Sequence, residues 1–393
     1  MIIVPRGFSF LATQAGFRYK GRKDLGMILS SRPAAAAGVF TANRFQAAPV
    51  LVSQEHLQAR PWARAILVNA GQANACTGET GLHACRRTCE LSAQAFGLQM
   101  NEVLPASTGV IGQHMDLSIW EQAVKALAES QTTDDPLGVA RAMLTTDTFP
   151  KILWREISLA GGTVRLLGLA KGSGMICPNM ATMLGFLCSD VDLEPAVWQE
   201  MLKHAVASSF NRISVDGDTS TNDCVLALAN AESKVRPQKE ELSRLRQEVT
   251  ALCRELAYLI VQDAEGGTKV LCIRVSGAVD TSEAEVAART VAHSPLVKTA
   301  MFGRDPNWGR IVAALGRSGA DFDPLQVRVS MAGREVFRRG TPVQADIDSL
   351  LAPFLARQEV TLDISLGQGP GEYEFLTSDL SVDYVRINAE YRS

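Results

Sequence analysis

The sequence predicts an α/β or α+β fold in which mixed sheets are covered by helices. Three observations carry this reading. Short apolar runs rich in β-branched residues recur, amphipathic helical patterns alternate with them, and no tandem repeat or low-complexity linker intervenes.

Along the chain, Ile66-Leu67-Val68 is a strand that runs into a turn at Asn69-Ala70-Gly71. Ser118 to Glu129 reads as a helix with Ile119, Ala123 and Leu127 on one face. Val164 to Leu169 is a second strand. Glu194 to Phe210 reads as a helix that Pro195 opens in its first turn, where a missing N–H does no harm, with Val197, Met201 and Ala205 inward. The longest helix runs from about Lys239 to Val261. Its Leu242, Leu245, Val249, Leu252, Leu256 and Leu259 follow at spacings of three and four. A coiled coil uses the same spacing, but this run is short and flanked by strands, so packing on a sheet is expected. Val270 to Val275 is a third strand. Val327 to Met331 then turns at Ala332-Gly333 into Glu335-Val336-Phe337, a hairpin. A smaller carboxy-terminal α/β subdomain is expected from about Asp280.

At 393 residues the chain has room for two or three packed units. A net charge of −3, with basic residues in pairs such as Arg86-Arg87 and Arg338-Arg339, leaves no phosphate track for nucleic acid. The start, Met1 to Gly7, lacks a basic leader followed by an apolar run, and no stretch approaches a membrane span, so a cytoplasmic protein is expected. The eight cysteines are scattered and read as buried small hydrophobes. His83, Cys85 and Cys89 lie at spacings that one helical face accommodates, but no second ligand pair follows, so no metal site is expected. Asp216, Asp218 and Asp223 lack the terminal Glu of a calcium loop, and Gly367 to Gly371 precedes no helix; both read as loop chemistry.

One region departs from this texture. Lys171 to Gly185 holds three glycines and a proline and turns strongly apolar toward its end. Small residues admit close backbone approach and unusual dihedrals, the conditions for strain at a reactive bond. A threonine at a chain start has its own α-amine as base, with a reference pKa of about 7.7–8.0 against about 10.4 for lysine. Cleavage between Ala181 and Thr182 would create that state, the Thr182 hydroxyl attacking the Ala181 carbonyl to give an ester that water resolves. Ala181 leaves the carbonyl accessible. Both cleavage and acyl transfer pass through an oxyanion that needs donors, and the Thr108 hydroxyl with the Gly109 N–H supplies two. Taken alone, Ala181-Thr182 reads as strand sequence and Thr108-Gly109 as a tight glycine-rich turn.

Longer strings resolve the choice. They are Gly38 to Arg44, Asn69 to Gly78, Ser107 to Gly112, Thr145 to Thr148, Lys171 to Leu184, Ser214 to Asp223, Gly303 to Arg310 and Asn388 to Ser393. In this order, nearly end to end, they resemble the ornithine acetyltransferase (glutamate N-acetyltransferase) family of arginine biosynthesis. The resemblance implies autoproteolysis before Thr182 into chains 1–181 and 182–393, which stay associated, often as two of each. It implies a ping-pong acyl transfer in which Thr182 takes acetyl from N2-acetylornithine and passes it to L-glutamate. Thr108 and Gly109 match the oxyanion positions. Thr145, Lys171, Thr182, Glu265, Asn388 and Ser393 match substrate-binding positions. Ser393 stands where many relatives end in Thr, which keeps a hydroxyl. No cofactor is implied, because the acetyl group resides on the protein. Acetyl-CoA as an additional donor stays open, and a self-processed amidase or aminopeptidase is the nearest alternative.

The implied fold is N-terminal-nucleophile-like, with layered mixed sheets. Lys171 would suit a substrate carboxylate and Glu265 a substrate ammonium, although a strand-end cap and a helix end are the plain readings of those two residues.

Overall fold

A computed structural model describes residues 2–130, 133, 135–177, 183–343 and 346–390. They fall into two compact units. The first holds the described residues up to Asn211 together with Asp218–Ile260; the second holds Arg212–Gly217 and those from Val261 onward.

Strands and helices in chain order are β1 Phe8–Thr13, β2 Leu25–Phe40, α1 Ala48–Ala59, β3 Trp62–Gln72, α2 Gly78–Phe96, β4 Val103–Val110, α3 Leu117–Glu129 and α4 Leu137–Ala142. They continue with β5 Lys151–Leu159, β6 Gly162–Lys171, β7 Leu184–Ser189, α5 Pro195–Ala207, β8 Ile213–Ser214, β9 Cys224–Ala229 and α6 Lys239–Gln262. The rest are β10 Val270–Ala278, α7 Thr281–Ala292, α8 Pro295–Phe302, α9 Trp308–Gly316, β11 Arg328–Met331, β12 Arg334–Arg338, β13 Thr341–Pro342, α10 Ile347–Leu355, β14 Glu359–Ser365, β15 Gly371–Ser378 and α11 Val382–Glu390.

In the first unit the strand order is β4-β3-β2-β9-β7-β6-β5, with β1 also paired to β2. The sheet is mixed: β3–β4 and β7–β9 are parallel, while β2–β3, β2–β9, β6–β7 and β5–β6 are antiparallel. Alternate residues face opposite sides of a strand. Ile66, Val68, Leu104, Leu167, Leu169, Phe186 and Leu226 therefore gather in one apolar cluster. Met27, Ala65, Leu67 and Val103 join Cys85, Cys89, Trp120 and Leu127 from α2 and α3 in another.

The expected strands at Val164–Leu169 and Val270–Val275, the hairpin and the three helices are present. Two details differ. Asn69-Ala70-Gly71 does not turn; β3 runs on to Gln72 because β4 lies parallel beside it through Gln72↔Val110. Val197 is 36% exposed, and α5 instead buries Trp198, Met201, Leu202, Ala205 and Val206. The α6 helix packs on the sheet as expected. A Cβ on Gly168 of β6 would meet Leu252 Cδ2 at 2.5 Å and Leu256 Cδ1 at 2.7 Å.

The second unit has strand order β13-β12-β11-β14-β10-β15-β8. Leu271, Ile273 and Val275 of β10 form a core with Val291, Met301, Leu315 and Leu355 from α7 to α10. Asp280 is the N-cap of α7, its side chain accepting from Glu283 N, and lies inside this unit. Lys298 is buried, its ammonium donating to the carbonyls of Val215 and Ser378 and to Thr377 Oγ1, which ties the segment Arg212–Gly217 into the unit.

Candidate active site

The edge strand β4 sets one side of the site. Ser53 Oγ donates to the Pro105 carbonyl at 2.7 Å, His56 Nδ1 lies 2.8 Å from the Val103 carbonyl, and Asn222 Nδ2 donates to the Ser107 carbonyl at 2.9 Å. Residues 103, 105 and 107 thus turn their polar groups away from β3, while Val110, in phase with Thr108, gives its carbonyl to Ala73 N. A trans peptide points its C=O and N–H in opposite directions, so the Gly109 N–H is directed away from β3, at the open edge. Only glycine fits there. Gly109 has φ +128°, and a Cβ would come within 2.3 Å of the Gly71 carbonyl carbon.

The other side is built at the end of β6. Lys171 is 6% exposed, and its Nζ donates to Thr145 Oγ1 at 2.9 Å and to Thr108 Oγ1 at 3.2 Å. Three residues expected to act together therefore meet. Behind them stands Asp147, whose side chain is fully buried. It accepts from Lys151 Nζ at 2.8 Å, from Gly172 N at 2.8 Å and from Thr145 N at 3.4 Å, and it lies 3.9 Å from Lys171 Nζ. Burial pushes the Asp147 carboxyl up, but Lys171, then Lys151 and the Gly172 amide, outweigh it and leave it below the ordinary carboxylate value. One buried carboxylate thus sits between two buried ammonium groups, an arrangement suited to receiving an anion.

Asp147, Lys151 and Asn222 were not singled out in the sequence. The available signal lay in the strings themselves, since Asp147 falls within Thr145 to Thr148 and Asn222 within Ser214 to Asp223. Asn222 Nδ2 also donates to the Ala73 carbonyl at 2.6 Å, so one amide joins the residue that follows β3 to the middle of β4. Asn69 Oδ1 accepts from Ser107 Oγ at 2.6 Å beside it. The thiols of Cys188 and Cys224 are fully buried, which pushes both well above the usual range and keeps them protonated. Cys177 is buried as expected, whereas Cys76, expected to be buried with the other cysteines, is exposed.

Ala181, Thr182 and Ser393 lie outside the described residues. Leu184, just beyond Thr182 and Met183 in sequence, is the register partner of Lys171. In the second unit, Glu265 and Asn388 meet: Asn388 Nδ2 donates to Glu265 Oε2 at 3.0 Å. Cys85 and Cys89 are buried in the α2 core while His83 is exposed, so these three do not share a face. No group of three or more candidate metal ligands occurs among the described residues. Nor is any helix among them long and apolar enough to cross a membrane.

Comparison with known proteins gives concordant matches. A curated arginine biosynthesis bifunctional protein ArgJ from Nitratidesulfovibrio vulgaris is 55% identical over 389 residues, covering 99% of each chain. The protein of that name from Desulfotalea psychrophila is 44% identical over 391 residues, again covering 99% of each. Among solved structures, ornithine acetyltransferase from Mycobacterium tuberculosis, complexed with ornithine, is 33% identical, with 44% of this chain and 92% of that chain covered and a TM-score of 0.41. The ArgJ family profile matches residues 9–393. With that span and those identities, the chain belongs to the ArgJ family.

Proposed function

We propose that the chain is an acetyltransferase of arginine biosynthesis that moves acetyl from N2-acetylornithine to L-glutamate through an acetyl-Thr182 intermediate. The observation that carries this reading is the Lys171 ammonium shared between the hydroxyls of Thr108 and Thr145. A hydroxyl has one hydrogen and two lone pairs. With Lys171 donating to Thr108 Oγ1, the Thr108 hydrogen is left for an acceptor, and the Gly109 N–H stands beside it at the open strand edge. These two donors would take the oxyanion of each tetrahedral intermediate.

Maturation comes first. The Thr182 hydroxyl attacks the Ala181 carbonyl, the peptide C–N bond breaks, and water hydrolyses the resulting ester, leaving chains 1–181 and 182–393. The freed α-amine of Thr182 then serves as base for its own hydroxyl. That hydroxyl attacks the acetyl carbonyl of acetylornithine, and the departing ornithine amine takes the proton. Glutamate reverses these steps with its own amine as nucleophile. In this scheme Thr145 and Lys171 contact the bound amino acid, as do Glu265, Asn388 and Ser393. The two chains stay together as an α2β2 assembly working in the cytoplasm.

The test is amino-terminal sequencing of the purified protein and of a Thr182→Ala variant, with ornithine release followed in the absence of glutamate. The native protein is expected to show a second terminus at Thr182 and a burst of one ornithine per site. The variant is expected to stay as one 42.4 kDa chain with no burst. Cleavage in the variant, or an uncut native chain that still turns over, would remove the scheme.

A further inference from the structure

Two cations of the second unit have no part in the scheme above. Lys269 closes the loop that begins at Glu265, and Arg304 stands in the string Gly303 to Arg310. The loop is tightly pinned. Asp379 accepts from the amides of Thr268 at 2.7 Å and Lys269 at 3.1 Å, and from the Thr268 hydroxyl. Ser381 Oγ donates to the Gly266 carbonyl, and Gly267 N donates to the Ala264 carbonyl at 2.9 Å. Gly266 has φ +64°, and a Cβ there would come within 2.4 Å of Tyr384 N. Four residues of chain span at most about 14 Å, so Glu265 and Lys269 put opposite charges on one short, fixed loop.

Lys269 is only 6% exposed, yet its ammonium has no hydrogen-bond or ion-pair partner among the described residues. The Asp379 carboxylate is committed to the loop's own amides and hydroxyl. Burial lowers the Lys269 ammonium below the ordinary lysine value; Asp379 opposes this, and the Arg304 guanidinium adds to it. The two cations are therefore within electrostatic reach of each other. Arg304 is exposed and holds a left-handed φ of +57°, and its guanidinium also has no partner among the described residues. Buried charges are ordinarily paired within the protein. A buried ammonium with a second cation in reach, and no carboxylate assigned to either, is built to take an anion from outside the chain.

The acyl-transfer scheme supplies such an anion. Donor and acceptor share an α-carboxylate, which Lys171 suits. Their side chains end differently, in an ammonium on ornithine and in a carboxylate on glutamate. Glu265, bonded to Asn388, fits the first and repels the second. We infer that Lys269 and Arg304 form the subsite for the side-chain carboxylate of the acceptor amino acid, so that one loop carries a determinant for each substrate. The inference rests on the acyl-transfer reading of the site.

The experiment measures kcat/KM for L-glutamate and for L-glutamine, its neutral counterpart of the same shape, with N2-acetylornithine as donor to the full-length protein. In a ping-pong scheme this constant reports the second half-reaction alone. The native protein is expected to prefer glutamate by at least about 100-fold. Lys269→Met keeps the unbranched stem and removes the charge. It is expected to lose most of that preference, with KM for glutamate raised about 10- to 100-fold. Arg304→Gln, at an exposed position, is expected to lose part of it. The ornithine burst without glutamate, which reads the donor half-reaction, is expected in both variants. Glu265→Gln should do the opposite, raising KM for N2-acetylornithine and sparing the preference for glutamate. A native ratio near one, or a ratio unmoved in both Lys269→Met and Arg304→Gln, would overturn the inference. So would loss of the burst in Lys269→Met, because Lys269 would then serve the donor or the fold. Absence of a burst in the native protein would instead overturn the acyl-transfer reading on which the inference stands.

Discussion

The Asp147 carboxylate accepts from Lys151 and Gly172 while standing 3.9 Å from Lys171, in a place from which its side chain meets no solvent. Nothing in hydropathy or spacing marks such a group, because a buried charge in a loop becomes legible only once its partners are in place. Its folded pKa lies below the unfolded reference of 3.8. The stabilisation is therefore complete above pH 3.8 and is lost as pH falls through the folded value. Asp147→Asn leaves two buried ammonium groups without their shared carboxylate and is expected to cost about 3–5 kcal/mol at pH 7. Melting curves of both forms should converge as pH drops below 3.8; a constant gap would contradict the assignment. Thr108 supports a sharper test. Thr108→Val keeps the shape and removes the hydroxyl, and kcat is expected to fall by about 10²–10³. An undiminished kcat would take Thr108 out of the oxyanion site.

At the scale of elements, the helices were legible because their apolar residues recur at helical spacing, and α6 lies on the sheet as its leucine stripe implied. In α5, Met201 and Ala205 face inward as expected, but Val197 does not. Trp198, Met201 and Ala205 define the buried stripe, and a single valine at 197 does not outweigh a tryptophan. The far end of β3 was misread for another reason. Asn69 and Gly71 are turn formers, but pairing with β4 supplies the backbone hydrogen bonds that override local preference. The close approach of Gly168 to α6 gives a prediction at this scale. Gly168→Ala places a methyl between Leu252 and Leu256 and is expected to destabilise by about 1–3 kcal/mol. Urea unfolding measures this, and an unchanged midpoint would show that α6 can lift away freely.

For the whole molecule, the family and the meeting of Thr108, Thr145 and Lys171 were legible because eight strings stood in order. What escaped the sequence was the support beneath them: Asp147, Lys151 and the Asn222 amide that joins the residue following β3 to β4. Such residues act through contacts made by distant segments, and their side chains carry no local pattern. The second unit has its own acid sensitivity. Burial, then Arg289 and Lys298, push the His293 imidazole down to about 4 from 6.5. The unfolded chain thus binds that proton more readily, so stability is full above pH 6.5 and is lost as pH falls toward 4. His293→Gln should lose less stability than the native protein across that window in urea titrations at stepped pH.

The central claim is that Thr182 is both the first residue of a processed chain and the carrier of the acetyl group. The denatured intact mass, taken before and after adding N2-acetylornithine without glutamate, tests both parts at once. Two fragments are predicted, the second beginning at Thr182 and gaining the mass of one acetyl group on incubation. A single full-length mass that N2-acetylornithine leaves unchanged, in a preparation that transfers acetyl to glutamate, would contradict the account.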